Sequence, residues 1–458
     1  MDRRELLKYG TVVSAAAAGS LHGLVARAAG FFPEEKAVKE DLRKSASLMF
    51  KKNEVRSSIG FFHLPSYQTY RAFYAWDSGW HVIAMSHLDA DKAISELSTI
   101  YSVQADDGHI PHEVRVPKLS PEDPMRKAVV YAVRRQYDDE GKSAFIDPPS
   151  FLLAAELLYR KHQDPRVLEF IPAMERCCRY LTEDRDLFGD GLVSIIHPWE
   201  SGTDMAPVFD EPMDFNMKNP FTAVKAGIAY PRLLNFCAEH DWDPKKLAQK
   251  NRFVFEDVGM NSLTARGLQS LSYLCRQSGD AAKADKWESK ARSMVEAMEE
   301  IFWDEGASFF YPRYDVKSPK LSRHKCMTGA LPLLTGLVSE DKAKKLIEKN
   351  LLSKKHFYGE RLVPFNSRSE LEGENIPLED TLIWRGHCIW TNMSWMAARL
   401  AENYGYTGYP VEVTRSTVRL IKEQGFHEFY DPRTGEGKGA PNFTWPALAV
   451  DLMEEYGL

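Results

Sequence analysis

The chain has 458 residues, 44% of them hydrophobic and 27% charged, a globular composition with ample apolar material for a core. A formal charge of −6 argues against a nucleic-acid partner, because phosphate binding needs a basic face. The 10 Trp and 19 Tyr fill cores, and they also make the flat platforms on which sugars stack.

Residues 1–28 read as an address rather than as part of the fold. Arg3-Arg4 precedes a mildly apolar, Ala-rich stretch over 9–26, and Ala26-Arg27-Ala28 offers small residues at the two positions a signal peptidase reads. The expectation is a twin-arginine signal cleaved after Ala28 and a bacterial protein exported, already folded, to the periplasm or beyond. Without that segment the chain carries 55 basic and 63 acidic residues, a net −8. No later apolar run has membrane-spanning length, so no stable membrane insertion is expected. The six cysteines fit no zinc spacing. Export permits disulfides, but most of these cysteines lie in apolar helical stretches, where buried thiols are expected.

Helical periodicity dominates 29–458, which is expected to form one domain. In chain order the apolar spacing predicts helices over 35–52, 78–103, 149–163, 166–182 and 219–239. A helical hairpin follows, with one arm around Leu268, Leu271 and Leu274 and the other from Trp287 through Met294 and Met298 to Phe302, joined at Ser278-Gly279-Asp280. Further helices are predicted over 339–350, 388–403 and 411–424. Strand-like alternation is rare and short, as at 192–196. Acidic-Gly turns at Asp106-Asp107-Gly108, Gly189-Asp190-Gly191, Asp304-Glu305-Gly306 and Thr434-Gly435-Glu436-Gly437 punctuate the pairs. Each leads into an irregular stretch, and such long connections in a helical protein are expected to build a site. An all-α toroid of about six helix pairs uses the whole length. The rival α-solenoid needs a fixed-period repeat that this sequence does not show.

Four irregular regions join Trp or Tyr with a carboxylate or Arg, the mixture that suits a sugar: rings for its apolar faces, charged groups for its hydroxyls. The first holds Trp76-Asp77-Ser78-Gly79-Trp80-His81 and continues at Gln104-Ala105-Asp106-Asp107-Gly108-His109-Ile110-Pro111-His112. The second is His197-Pro198-Trp199-Glu200-Ser201-Gly202-Thr203-Asp204. The third opens on Trp384-Arg385-Gly386, and the fourth runs from Glu428-Phe429-Tyr430-Asp431-Pro432 through Glu436 to Phe443-Thr444-Trp445.

Taken in order, these motifs resemble glycoside hydrolase family 63 and its trehalase relatives, and most closely the branch of mannosylglycerate and glucosylglycerate hydrolases. The resemblance covers 76–445 and implies an all-α (α/α)6 toroid of the six-hairpin glycosidase type, with long site-building loops. It implies an inverting, exo-acting hydrolase of α-linked sugars in small glycosides, with a small carbohydrate as partner and no cofactor. By position, Asp204 is then the general acid and Glu428 the general base. Inverting enzymes hold two such carboxyls about 6.5–9.5 Å apart, leaving room for a water on the far face of the ring. The acid must stay protonated near neutral pH, so a raised pKa is expected for Asp204.

The resemblance also implies that Asp77 grips hydroxyls of the cleaved sugar and that Arg385 binds hydroxyls or holds a catalytic carboxylate. Trp76, Trp199, Trp384 and Trp445 are candidate platforms, and Gln104, His112, Gly202, Glu200 and Glu436 complete the substrate-binding set. Other readings stay open. Asp77 suits a helix N-cap, Asp204 a turn, Arg385 a structural ion pair and the Trp residues a core. Glu200 rivals Asp204, and Glu436 rivals Glu428.

A metal is not expected, because Pro111 between His109 and His112 disfavours the helix that would aim both at one ion. His81, His109 and His112 keep a sugar epimerase open as an alternative, and an inactive carbohydrate-binding protein is another. Three departures from the family pattern stand out: His387-Cys388 after W-R-G, Thr203 before the acid, and export where glycosylglycerates are cytoplasmic solutes.

Overall fold

A helix buried on every face belongs inside a protein, and one with a single apolar stripe belongs at its surface. The computed structural model, which describes residues 33–117, 119, 135–215, 222–370 and 383–458, alternates these two kinds. The expected export segment 1–28 lies outside the described residues. The helices run α1 (Pro33–Asn53), α2 (Ala75–Met85), α3 (Ala90–Ser102), α4 (Ser150–His162), α5 (Ile171–Arg179), α6 (Thr222–Glu239) and α7 (Pro244–Lys250). They continue as α8 (Val258–Gln277), α9 (Ala281–Ile301), α10 (Glu340–Leu346), α11 (Thr391–Glu402), α12 (Gly408–Gln424) and α13 (Ala449–Tyr456).

Every residue of α2 is buried, whereas α9 buries one stripe of Ala284, Trp287, Ala291, Met294, Val295 and Met298. An inner ring follows from this difference. In it α2 packs on α4, α4 on α8, α8 on the 3-10 segment Met327–Thr335, and that segment on α11. From α11 the ring passes to the Trp445–Leu448 turn that leads into α13, and this turn packs back on α2. Outside it, α3 covers α2, α9 covers α8, α12 covers α11 and α13, and α1 packs on α13. The chain is thus an (α/α)6 toroid of paired helices. Among the described residues no helix is long and apolar enough to cross a membrane. All six cysteines are buried, as thiols rather than disulfides.

Three elements differ from the sequence expectation. The single helix over 78–103 is two, because Asp89 caps a new start by accepting the Lys92 N–H at 3.1 Å. The wholly buried inner segment Met327–Thr335 escapes the periodicity because Gly329 and Pro332 read as breakers. The stretch 192–196 forms no strand, only one bridge from Ile195 to Phe255.

Short antiparallel pairs stiffen the connections. Phe73–Tyr74 pairs with Glu113–Val114 ahead of α2. His427–Tyr430 pairs with Gly437–Pro441, and the register shifts between His427 and Phe429, so Glu428 sits on a bulge. A bulge re-aims the side chain it carries.

Gly79 lies where α2 meets α4, and a Cβ there would press on the Ser150 hydroxyl and stand 2.5 Å from the Phe151 backbone N. Gly79→Ala should therefore destabilise the fold by about 1–3 kcal/mol, the usual cost of overpacking, seen as a lower urea midpoint. An unchanged midpoint would contradict this close crossing.

Candidate active site

The N-terminal ends of inner helices collect acidic side chains. Asp77 lies in the first turn of α2, and Asp147 lies just before α4. Asp204 follows the 3-10 turn Pro198–Ser201, and Glu428 stands on its bulge. These groups are close enough for their charges to act on one another. Burial, then the charge of Glu428, holds the Asp204 carboxyl up at about 7. Burial pushes Asp77 well above the carboxylate range, and the charges of Glu428 and Asp204 add to this. Asp147 is raised for the same reason, with Asp77 and Asp204 among its neighbours.

Glu428 is 4% exposed. Its Oε1 accepts the Tyr70 hydroxyl at 2.6 Å, and its Oε2 accepts the Ala440 N–H at 2.8 Å. Burial raises its pKa, while these two hydrogen bonds favour the ionised form and oppose the rise. Glu436 lies out on the exposed turn, where its backbone carbonyl receives the Asp431 N–H. Geometry therefore separates the two candidate bases, and only Glu428 joins the carboxyl group.

Ahead of Asp204, Gly202 adopts φ 67°, and its position would bring a Cβ to 3.0 Å from the Trp76 indole. Only a residue without a side chain both accepts that backbone and lies flat on the ring. The backbone carbonyl of Asp204 accepts the Tyr230 hydroxyl at 2.7 Å. Arg385 donates to the next carbonyl, Met205, at 3.0 Å and forms an ion pair with Asp210. Arg385 thus braces the loop that carries Asp204. The helix-cap reading of Asp77 does not hold, because α2 starts at Ala75 and Asp77 lies inside its first turn.

The aromatic residues are mostly floor. Trp384 stacks flat on Trp390 with centroids 3.7 Å apart, and Trp445 lies against both. Trp76 meets Trp80 and Trp445 edge to face. Trp76, Trp384 and Trp445 are all buried, so of the four candidate platforms only Trp199 keeps appreciable exposure. The Trp445 indole N–H eases the Asp77 shift without closing a full hydrogen bond.

Two expected binding residues are spent on structure. Glu200 is fully buried, ion-paired with Arg185, and accepts the Ile196 and Ile146 N–H groups at 2.7 and 3.2 Å. It holds the loop before Asp204 and is no rival to it. Gln104 donates to the Gly108 and Ala173 carbonyls and accepts from Arg176, locking the Asp106-Asp107-Gly108 turn onto α5. His112 is brought to the start of α2, where its carbonyl accepts the Ala75 N–H at 3.0 Å. Burial drives its imidazole down to about 3 and keeps it neutral.

Sequence reasoning missed Tyr70, Asp147 and Tyr230. Asp147 Oδ2 accepts the Trp76 N–H at 3.0 Å, and Ser150 donates to the Trp76 carbonyl at 2.7 Å. The one signal for Asp147 was its place before Pro148-Pro149-Ser150, a rigid entry to a helix.

Among the described residues, one cluster has metal-ligand composition: His63, His81 and Glu96. Their contacts are hydrogen bonds of 2.6 and 2.8 Å between imidazole Nδ1 and carboxylate oxygen. Zinc ligands about 2.0–2.2 Å from an ion stand farther apart than this.

Glu200→Gln should lower stability by roughly 3–5 kcal/mol, because Arg185 would be left buried without its counter-charge. A lower urea midpoint with unchanged KM is the expected result. An unchanged midpoint with a raised KM would return Glu200 to the binding set.

Comparison with known proteins agrees with this architecture. Residues 70–446 match the family described as "Mannosylglycerate hydrolase MGH1-like glycoside hydrolase domain". The mannosylglycerate hydrolase of Thermus thermophilus is 27% identical over 420 residues, 86% of this chain and 96% of that protein. That of Rubrobacter radiotolerans is 28% identical over 428 residues, 86% of this chain and 94% of that protein. A crystal structure of a GH63 mannosylglycerate hydrolase from Thermus thermophilus, in complex with Tris and D-glycerate, aligns with a TM-score of 0.76 at 25% identity. That alignment covers 90% of this chain and 99% of the other. With most of its length inside the family match, and with paired carboxyls at the helix ends of a six-hairpin toroid, this chain belongs to the mannosylglycerate hydrolase MGH1-like glycoside hydrolases.

Proposed function

We propose that Asp204 is the general acid and Glu428 the general base of an inverting, exo-acting hydrolysis that frees one α-linked sugar from a small glycoside. The observation that carries this reading is the contrast between the two carboxyls. Asp204 is held protonated up to about pH 7, and Glu428 receives two hydrogen bonds that favour its ionised form. Asp204 gives its proton to the glycosidic oxygen as the bond to the anomeric carbon breaks. Water attacks that carbon from the opposite face and loses a proton to Glu428, so the released sugar has the inverted configuration. Asp204 ends ionised and Glu428 protonated, and exchange with solvent restores both. Asp77 and Trp199 hold the sugar.

The relatives are named for mannosylglycerate, and a glycosylglycerate is one candidate substrate here. The Arg3-Arg4 and Ala26-Arg27-Ala28 pattern supports export, which favours short α-linked oligosaccharides from outside or an envelope glycoside. An epimerase is not favoured, since His81 is held between Glu96 and Thr444 and His109 sits on the Phe145 carbonyl.

Turnover of aryl α-glycosides, disaccharides and glycosylglycerates by the chain lacking 1–28 tests this reading. Asp204→Asn and Glu428→Gln should each lose at least roughly 10²–10⁴-fold in rate, and NMR of fresh product should show the inverted anomer. A retained anomer would sink the mechanism. The pH profile should fall above about 7, as Asp204 loses its proton, and at low pH, as Glu428 gains one. Tyr70→Phe removes a hydrogen bond to the Glu428 carboxylate and raises its pKa, so only the acid limb should move to higher pH.

A further inference from the structure

Beneath the site lies a polar chain that the mechanism above does not use. Glu96, on the outer helix α3, is fully buried, and both of its oxygens are engaged. Oε2 accepts from His63 Nδ1 at 2.6 Å, and Oε1 accepts from His81 Nδ1 at 2.8 Å and from the His63 backbone N–H at 3.2 Å. The two imidazoles hold the Glu96 carboxyl down at about 2 in spite of its burial, so it is a carboxylate and takes the Nδ1 protons. The Nε2 of His81 is therefore left as an acceptor. It lies 2.7 Å from Thr444 Oγ1, which donates to it. The backbone N–H of Thr444 is itself fixed on the Pro65 carbonyl at 3.0 Å.

The next residue is Trp445, whose ring meets Trp76, the neighbour of Asp77, edge to face with centroids 6.4 Å apart. Asp77 and His81 are four residues apart on α2 and so share one of its faces. One helix thus carries Trp76, Asp77 and His81 and, through His81, pins the residue that precedes Trp445.

We propose that Glu96, His81 and Thr444 form a positioning relay that sets Trp445 against Trp76, beside Asp77, and so fixes the grip on the sugar. The relay rests on the reading of Asp77 as a sugar-binding carboxyl. Neither Glu96 nor Thr444 touches the sugar; each acts through its neighbour.

Thr444→Val keeps the shape and removes the donor, while Thr444→Ser keeps the donor and loses a methyl. The account predicts roughly a 10-fold loss of kcat/KM for Thr444→Val, the size of one ordinary hydrogen bond. It predicts near-complete recovery in Thr444→Ser and no movement of either limb of the pH profile. Glu96→Gln, which removes the charge that sets the His81 tautomer, should lose at least as much as Thr444→Val, with the far-ultraviolet spectrum unchanged. Thr444→Val with wild-type kcat/KM, or Thr444→Ser as impaired as Thr444→Val, would overturn the relay. If Asp204→Asn and Glu428→Gln kept full activity, the reading of the site itself would fail, whatever the Thr444 variants did.

Discussion

The burial of carboxyl groups that also repel one another is the constraint on which the rest of this molecule turns. Burial raises Asp77, Asp147, Asp204 and Glu428 alike; the charges of Glu428 and Asp204 add to the rise at Asp77, those of Asp77 and Asp204 at Asp147, and that of Glu428 at Asp204, with little solvent to screen them. Such a group must share fewer negative charges than it has carboxyls. Burial raises each member, and hydrogen bonds oppose the rise to different extents. Glu428 has Tyr70 and Ala440 to favour its charge, whereas Asp147 stays well above the carboxylate range in spite of the Trp76 N–H. At Asp204 burial, with the charge of Glu428, outweighs a backbone hydrogen bond and holds the carboxyl up at about 7. Environment rather than residue type thus separates these carboxyls.

The toroid makes that crowding tolerable. The inner helices α2 and α4 bring their N-terminal ends to Asp77 and Asp147, and the partial positive charge of helix starts favours anions there. Gly79 lets α2 approach α4, Gly202 lets the loop carrying Asp204 lie on Trp76, and Arg385 with Asp210 braces that loop. The aromatic excess serves this scaffold more than it serves the ligand. The Trp76, Trp384, Trp390 and Trp445 rings interlock as a buried floor, which fixes positions and lowers the local dielectric.

Motif spacing made much of this legible in the sequence. The order of the motifs located Asp77, Asp204, Glu428 and the Trp residues, and helical periodicity located most of the outer helices. What it could not separate was a carboxylate facing the site from one facing a buried partner. Glu200 and Asp204 share one motif, yet Arg185 claims Glu200 from across a turn, and Gln104 is claimed by two carbonyls and Arg176. Tyr70 and Asp147 stayed invisible because their roles depend on contacts 358 and 71 residues away. The buried segment Met327–Thr335 was hidden for a different reason: an element enclosed on all sides needs no amphipathic period, and its Pro332 and Gly329 look like breakers.

The central claim is that Glu428 and burial together hold the Asp204 proton, and a direct titration of that carboxyl tests it most plainly. Carbon-13 carboxyl NMR of the labelled protein, with the Asp204 signal assigned by its loss in Asp204→Asn, would follow it from acid to alkaline pH. The account predicts a midpoint near pH 7 that moves down toward the ordinary carboxylate range in Glu428→Gln. An Asp204 that titrates in the ordinary range, or one that Glu428→Gln leaves unmoved, would contradict it.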